Sequence, residues 1–349
     1  MKLWNTKGII LEQKKEPALS RDLQQLLTEQ GESAKVETLA ENEEVTLDRL
    51  IRLCNEASIV DERDGEPLGD ILMGWKLRAA PKLIVGDAVD DEPYVSNQTN
   101  PLMKQSADAA YGLRLLQTAL KPQKAYFAVY REMHYLNSRV PTKIEEFVVR
   151  KMGGKYPMER RAFSRLGDDV LAVGVGALIH LARAAKEGRV QSSCFVTVAG
   201  NCIGTPCNME VTIGTPVSAL LEHCGLITDP TSLSLNSAMV GKAVEDPEQT
   251  LIQANTSAVI AIREAKKNLR HMDCIGCSRC VEVCPEGLNP MELYRATSTN
   301  RRQTAFELGL ERCIGCAACS YICPSRLELS HLIREKQEKW PKGEHCHDR

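Results

Sequence analysis

Few of the side chains in this sequence are aromatic. Phe, Tyr and Trp together make 5% of the 349 residues, so its cores must be filled by aliphatic side chains. There is no excess of positive charge either. Lys and Arg number 44 against 46 Asp and Glu, which argues against a nucleic-acid partner. Long apolar runs are missing: the longest, VLAVGVGALIHLA at 170–182, is too short to cross a bilayer, so any membrane contact would go through a partner. No G-x-G-x-x-G follows a strand pattern, which removes the dinucleotide fingerprint. No signal peptide is visible, and a reducing cytoplasm is the expected compartment.

Cysteine, by contrast, is abundant. Of 14 cysteines, eight fall in two runs written almost identically, CIGCSRCVEVCP at 274–285 and CIGCAACSYICP at 313–324. Each reads C-x2-C-x2-C-x3-C-P. Three cysteines at this spacing can surround one corner of a cubane cluster, and the fourth, followed by proline, faces away and ligates the other cluster where two runs occur. This assigns Cys274, Cys277, Cys280 and Cys323 to one [4Fe-4S] cluster and Cys313, Cys316, Cys319 and Cys284 to a second. Pro285 and Pro324 stop the local helix. Ile275-Gly276 and Ile314-Gly315 place flexible backbone where amides can point at sulfur. Zinc also uses C-x2-C pairs, but two complete four-cysteine runs, each with its proline, favour clusters.

The length allows two or three domains. The expected division is a helical segment at 1–45, an α/β domain at 46–189, a small β-grasp unit at 190–248, a helical dicluster domain at 249–335 and a flexible tail at 336–349. SRDLQQLLTEQ, capped by Ser20 with Leu23, Leu26 and Leu27 on one stripe, predicts a helix, as does VTLDRLIRLCNEA at 46–58. A strand at Leu83–Val85, a helix over 106–120, a strand over 124–130 and a strand-to-helix passage over 166–188 alternate as in an α/β fold. CFVTVAG and MEVTIG read as paired strands, and TPVSALLEHCG as a helix capped by Thr215 and ended by Gly225. Residues 250–270 are expected to be helical.

From about residue 45 to 335 the chain resembles the C subunit of Rnf/Rsx electron transport complexes. The residues that carry this are VTVAG…MEVTIGTPVSALLEHCG, similar to that subunit's soluble-ligand-binding β-grasp (SLBB) domain, CIGCSRCVEVCPEGLNP with CIGCAACSYICP, GDAVDDEPYVSN at 86–97, and GGKYPMERRA. Cobalamin reductases, the electron-transfer protein of proline reductase and, more distantly, the flavoprotein of respiratory complex I are of the same wider group. The resemblance implies a front half that binds FMN and takes hydride from NADH, its phosphate held on a glycine-rich loop. Here the corresponding place reads SIVDERDGEPLGD, where Asp61, Glu62, Asp64 and Glu66 would face a phosphate with like charge. A second family position reads Val173-Gly174-Val175-Gly176. FMN is therefore not favoured.

Glu92 and Tyr94 are candidates for a remnant of the flavin site, against the plainer reading of an acidic packing loop. Arg131 and Glu132 end a strand and read more simply as a charged pair than as a site. Cys202 and Cys207 flank a turn as free thiols, and His345, Cys346 and His347 sit in a tail. The expected function is an iron-sulfur electron-transfer subunit working between a redox partner and an acceptor protein. The partner is expected to be a flavoprotein or a membrane or soluble reductase complex, with the chain peripheral at the inner face of a membrane through it. The alternative is an FMN-containing, NADH-oxidising or cobalamin- or proline-reductase-linked oxidoreductase of the same type.

Overall fold

In the computed structural model, the structure describes residues 35–40, 44–131, 140–158, 163, 166–263 and 272–340. The helix expected near Ser20, Glu132 and the His345–His347 trio lie outside them.

The first unit is built on a mixed sheet of order β5-β6-β4-β3-β7, formed by β3 (Leu83–Ala88), β4 (Lys124–Tyr130), β5 (Lys143–Ile144), β6 (Phe147–Met152) and β7 (Val170–Gly174). β3 runs parallel to both β4 and β7, and β4 parallel to β6; only β5 is antiparallel. LIVGDA is buried from its second residue onward, as expected of a central strand covered on both faces. The covering helices are α1 (Leu47–Glu56), α2 (Leu68–Lys76), α4 (Ser106–Leu120) and α5 (Val175–Glu187), with the short α3 (Thr99–Lys104) between them. Leu50, Leu53, Leu113, Leu116, Leu178 and Ile179 are fully buried in one core with Ile84 and Phe127 of the sheet. Thr46 Oγ1 accepts from Arg49 N and starts α1. A ribbon of β1 (Val60–Asp61) and β2 (Glu66–Pro67) leads from α1 to α2.

The second unit is a sheet of order β11-β10-β12-β8-β9, from β8 (Ser193–Ala199), β9 (Cys207–Thr212), β10 (Ser232–Leu235), β11 (Lys242–Ala243) and β12 (Ala258–Ile262). The hairpin of β8 and β9 pairs Val198 with Cys207 and Ser193 with Thr212. Helix α6 (Val217–Cys224) buries Val217, Leu220 and Leu221 in a core with Val196, Val211 and Val259.

Two local expectations are corrected here. Residues 250–263 contain no helix: AVIAI is strand β12, parallel to β8 and antiparallel to β10. The N-cap of α6 is Pro216 and not Thr215, whose carbonyl instead accepts from Ile252 N.

The third unit is helical: α7 (Arg279–Val283), α8 (Pro290–Ser298), α9 (Arg302–Glu307), α10 (Ala318–Tyr321) and α11 (Leu329–Lys339). Leu288, Leu293, Ala296, Ala305, Leu310, Leu329 and Ile333 form its core.

Candidate functional site: two cysteine recesses and a crevice that the chain fills itself

The two cysteine runs fold alike. In each, the glycine after isoleucine takes a left-handed conformation, Gly276 at φ 67° and Gly315 at φ 67°, and the residue before the short helix does the same, Ser278 at φ 57° and Ala317 at φ 61°. This winds each loop so that its first two cysteines, and the third at the start of α7 or α10, line one recess. Gly276 N donates to Cys274 Sγ at 3.5 Å, the amide-to-sulfur contact expected of that glycine. Leu288 N donates to Cys284 Sγ at 3.4 Å.

Each run lends its fourth cysteine to the other. One recess is lined by Cys284 together with Cys313, Cys316 and Cys319; the other by Cys323 together with Cys274, Cys277 and Cys280. The crossing is held by hydrogen bonds to backbone carbonyls. Met272 N donates to Ser325 O, and Ser325 Oγ donates to Asp273 O at 2.9 Å, so the segment entering the first run lies beside the segment leaving the second. On the other side, Gln337 Nε2 donates to the carbonyls of Leu310 and Cys313.

The recesses differ in surroundings. Leu288, Leu293 and Ile333 line the one holding Cys284, and none of its four cysteines is exposed. Asn289, Glu292 and Arg295 line the other, where Cys274 and Cys277 are exposed. Burial pushes the Cys319 thiol up to about 12, so a thiolate there needs the positive charge of bound iron. Among the described residues, no group of three or more His, Cys, Asp or Glu side chains is placed to hold a lone metal ion. The donor set is sulfur throughout, four cysteines to each recess, which fits a [4Fe-4S] cluster in each.

The α/β unit reaches this domain through GGKYP. Lys155 Nζ donates to the backbone carbonyl of Cys284 at 3.3 Å. Its neighbour Tyr156 donates to Glu92 Oε1 at 2.7 Å, and Glu92 Oε2 accepts from Ser237 Oγ, also at 2.7 Å, in the second sheet's unit. Burial, then the Glu92 charge, raises the Tyr156 pKa. Glu92 thus joins three parts of the chain, while Tyr94 is exposed in a left-handed conformation at φ 72°. Arg131 is exposed and donates to Lys151 O.

The strand order of the first sheet reverses between β3 and β7. Open α/β sheets bind ligands in the crevice at the carboxyl ends of strands at such a point. Here that crevice holds residues 61–63. Glu62 Oε1 accepts from Gly176 N at 2.7 Å and Glu62 Oε2 from Ala177 N at 3.0 Å, at the first turn of α5. Gln98 Oε1 accepts from Val175 N at 3.2 Å, and Asp61 Oδ2 from Gly174 N at 3.4 Å. Arg63 Nε pairs with Asp87 at 3.2 Å. Burial pushes Glu62 up, and the amides it accepts from pull it back; burial takes Asp61 up to about 7 against the pull of Arg63. A Cβ at Gly174 would lie 2.4 Å from Glu62 Oε1, and one at Gly176 2.8 Å from it. The two glycines therefore admit the chain's own carboxylate. The expectation that four carboxylates face this place is corrected: Asp61 and Glu62 do, whereas Asp64 and Glu66 are exposed. The sequence showed the charge of Glu62 but not its amide partners 114 and 115 residues further on.

Comparison with known proteins gives residues 273–327 as a 4Fe-4S dicluster domain and residues 195–241 as an SLBB domain. Two [4Fe-4S] clusters are accordingly this chain's cofactors. It resembles the C subunit of the ion-translocating oxidoreductase complex of Rhodobacter capsulatus, at 29% identity over 250 residues, 65% of this chain and 47% of that one. The same subunit of Cronobacter sakazakii is 28% identical over 254 residues, 66% of this chain and 32% of that one. The chain thus spans about half the length of these curated relatives, or less. Among solved structures, an NAD+-reducing [NiFe]-hydrogenase in the H2-reduced state has the same fold, with a TM-score of 0.54 at 14% identity, over 83% of this chain and 61% of that one.

Proposed function

We propose that this chain is an iron-sulfur electron-transfer subunit, passing electrons between a redox partner and an acceptor protein. The observation that supports it best is the pair of recesses, each with four cysteines drawn from both runs. Cys274, Cys277, Cys280 and Cys323 hold one cluster; Cys313, Cys316, Cys319 and Cys284 hold the other. The clusters supply one-electron carriers. The chain's part is to seat them close together, exclude water from one and leave the other near the surface. Cys274 and Cys277 mark the side a partner protein approaches. The relatives belong by name to an ion-translocating complex. The partners proposed here are therefore subunits of such a complex, or a flavoprotein feeding it, with the chain peripheral to the membrane. Among the described residues no helix is long and apolar enough to cross one.

In this reading the front half carries no FMN and serves as a docking scaffold. Its support is Glu62, which already occupies the amides that a phosphate would need. Glu92 then acts as a structural tie and not as a flavin ligand.

The test is anaerobic purification with cofactor analysis. About eight irons and eight sulfides per chain are expected, with an EPR signal from two interacting reduced clusters after dithionite. Stoichiometric zinc, or about four irons, would count against it. NADH should reduce the clusters only after a flavoprotein is added. Reduction by NADH alone, or stoichiometric bound FMN, would favour the NADH-oxidising alternative.

The contact between Lys155 and Cys284 makes a second expectation. A cation beside a ligand's carbonyl stabilises the added electron. Lys155→Met should lower the midpoint potential of the cluster ringed by Cys313, Cys316 and Cys319 by roughly 30 mV, about threefold in the reduction equilibrium. The effect should fade at high salt, since Lys155 is exposed. Potentiometric EPR on parent and variant reads this. Equal shifts in both clusters, or none at low salt, would remove Lys155 from the account.

A further inference from the structure

Away from the cluster domain, two cysteines face each other in the SLBB unit. Cys207 begins β9 and Cys224 ends α6, and their Sγ atoms lie 3.2 Å apart. Backbone hydrogen bonds build this approach. Thr205 N donates to Cys224 O at 2.9 Å, Gly204 N to Gly225 O at 2.7 Å, and Ile227 N to Cys202 O at 2.9 Å. The turn before β9 is thereby clamped to the end of α6, where Gly225 closes the helix at φ 70°. The β8 ladder fixes Cys207 from the other side, opposite Val198. Cys202, the other cysteine of the turn, points elsewhere: it is fully buried, with its Sγ on Asn201 Oδ1.

We propose that Cys207 and Cys224 form a redox-active dithiol that exchanges two electrons and two protons with a small disulfide of the glutathione type. A disulfide needs its sulfurs at about 2.05 Å, so the pair must close by about 1 Å. Cys207 is half-buried and Cys224 buried, so a reagent meets Cys207 first. The hydrogen bond to Cys207, then burial, holds the Cys224 thiol pKa far above its ordinary value, which makes Cys224 the protonated member of the pair.

In the first step the Cys207 thiolate attacks one sulfur of glutathione disulfide. That S–S bond breaks, and the departing glutathione thiolate takes up a proton. In the second, Cys224 attacks the Cys207 sulfur of the mixed disulfide, and its proton leaves with the second glutathione. Two protein thiols become one disulfide, and one glutathione disulfide becomes two glutathione thiols. Cys54 and Cys194 offer the contrast. Each is buried, and burial pushes each thiol up to about 12. Neither is placed to exchange.

The test equilibrates the full, cluster-loaded chain anaerobically with mixtures of reduced and oxidised glutathione. It is then alkylated, digested and analysed by mass spectrometry, with the visible absorbance of the clusters followed alongside. A Cys207–Cys224 cross-linked peptide is expected as the oxidised form grows, and dithiothreitol should return it to two alkylated thiols. Cys224→Ser should stop at a glutathione adduct on Cys207. Cys207 and Cys224 alkylated as free thiols across the whole range, or a parent chain that stops at the same adduct, would overturn the proposal. Both readouts on the parent stand even if the variant fails to fold.

Discussion

Replacing Cys284 with Ser is expected to remove about half of the iron, and the cluster lost should be the one ringed by Cys313, Cys316 and Cys319. The reason is the crossing. Cys284 lies in the first run, yet it lines the recess of the second. It is buried, and Leu288 N donates to its sulfur. Serine there supplies a hard oxygen in place of a thiolate, within an apolar wall of Leu288, Leu293 and Ile333. The Cys274 cluster keeps all four of its own cysteines. Its EPR signal should persist, without the broadening that a second reduced cluster imposes. Cys323→Ser is the mirror experiment and should spare the Cys313 cluster. Iron analysis with EPR on both variants decides the matter. Loss of the Cys274 cluster on replacing Cys284 would mean that each run ligates its own cluster. Because both recesses share one helical core, the readout is spectroscopic and not yield.

Glu62→Ala is expected to destabilise the α/β unit by about 1–2 kcal/mol, the loss typical of a helix N-cap, and to make that unit respond to inorganic phosphate. Glu62 meets Gly176 N and Ala177 N at α5, and Gln98 and Asp61 take the two preceding amides. Removing the carboxylate leaves donors at a helix N-terminus without their acceptor, each a further cost if water does not reach it. Phosphate or sulfate can replace that acceptor, because Gly174 and Gly176 leave the approach open. Added phosphate should therefore raise the thermal midpoint of the variant and leave the parent nearly unchanged. Glu62→Gln, which keeps an oxygen acceptor, should fall between them. A parent that phosphate stabilises as much as the variant would mean that Glu62 does not occupy an anion site. FMN added to the parent is the companion measurement, and tight binding would point to the oxidoreductase reading.

Much of this was legible in the sequence because the signals are local. Helix 106–120 and strand 124–130 stand where periodicity puts them, and the hairpin of β8 and β9 follows its alternating pattern. The cysteine runs state their ligand chemistry in their spacing. What stayed hidden depends on distant partners. Five apolar residues, AVIAI, cannot be told from helix by periodicity, and β8, some sixty residues earlier, makes them a strand. Glu62 reads as a repulsive charge until Gly176 and Ala177 are seen to meet it. Cys202 and Cys207 read as free thiols flanking a turn, and nothing local shows that the fold brings Cys224 to Cys207.

The crossed cysteines also set an order of events during synthesis. Cys280 leaves the ribosome well before Cys323, so the first run must wait, three ligands ready, until the second has emerged. The second run finds Cys284 already exposed to the surrounding solution, but Cys319 completes its set only four residues before Cys323 completes the other. Neither half of the domain can mature ahead of its counterpart. A nascent chain halted before residue 319 would hold incomplete sites in both halves, open to the wrong metal. Delivery of iron and sulfide is thereby tied to the emergence of the second run, and a chain truncated inside that run should be handed to proteolysis rather than accumulate half-loaded.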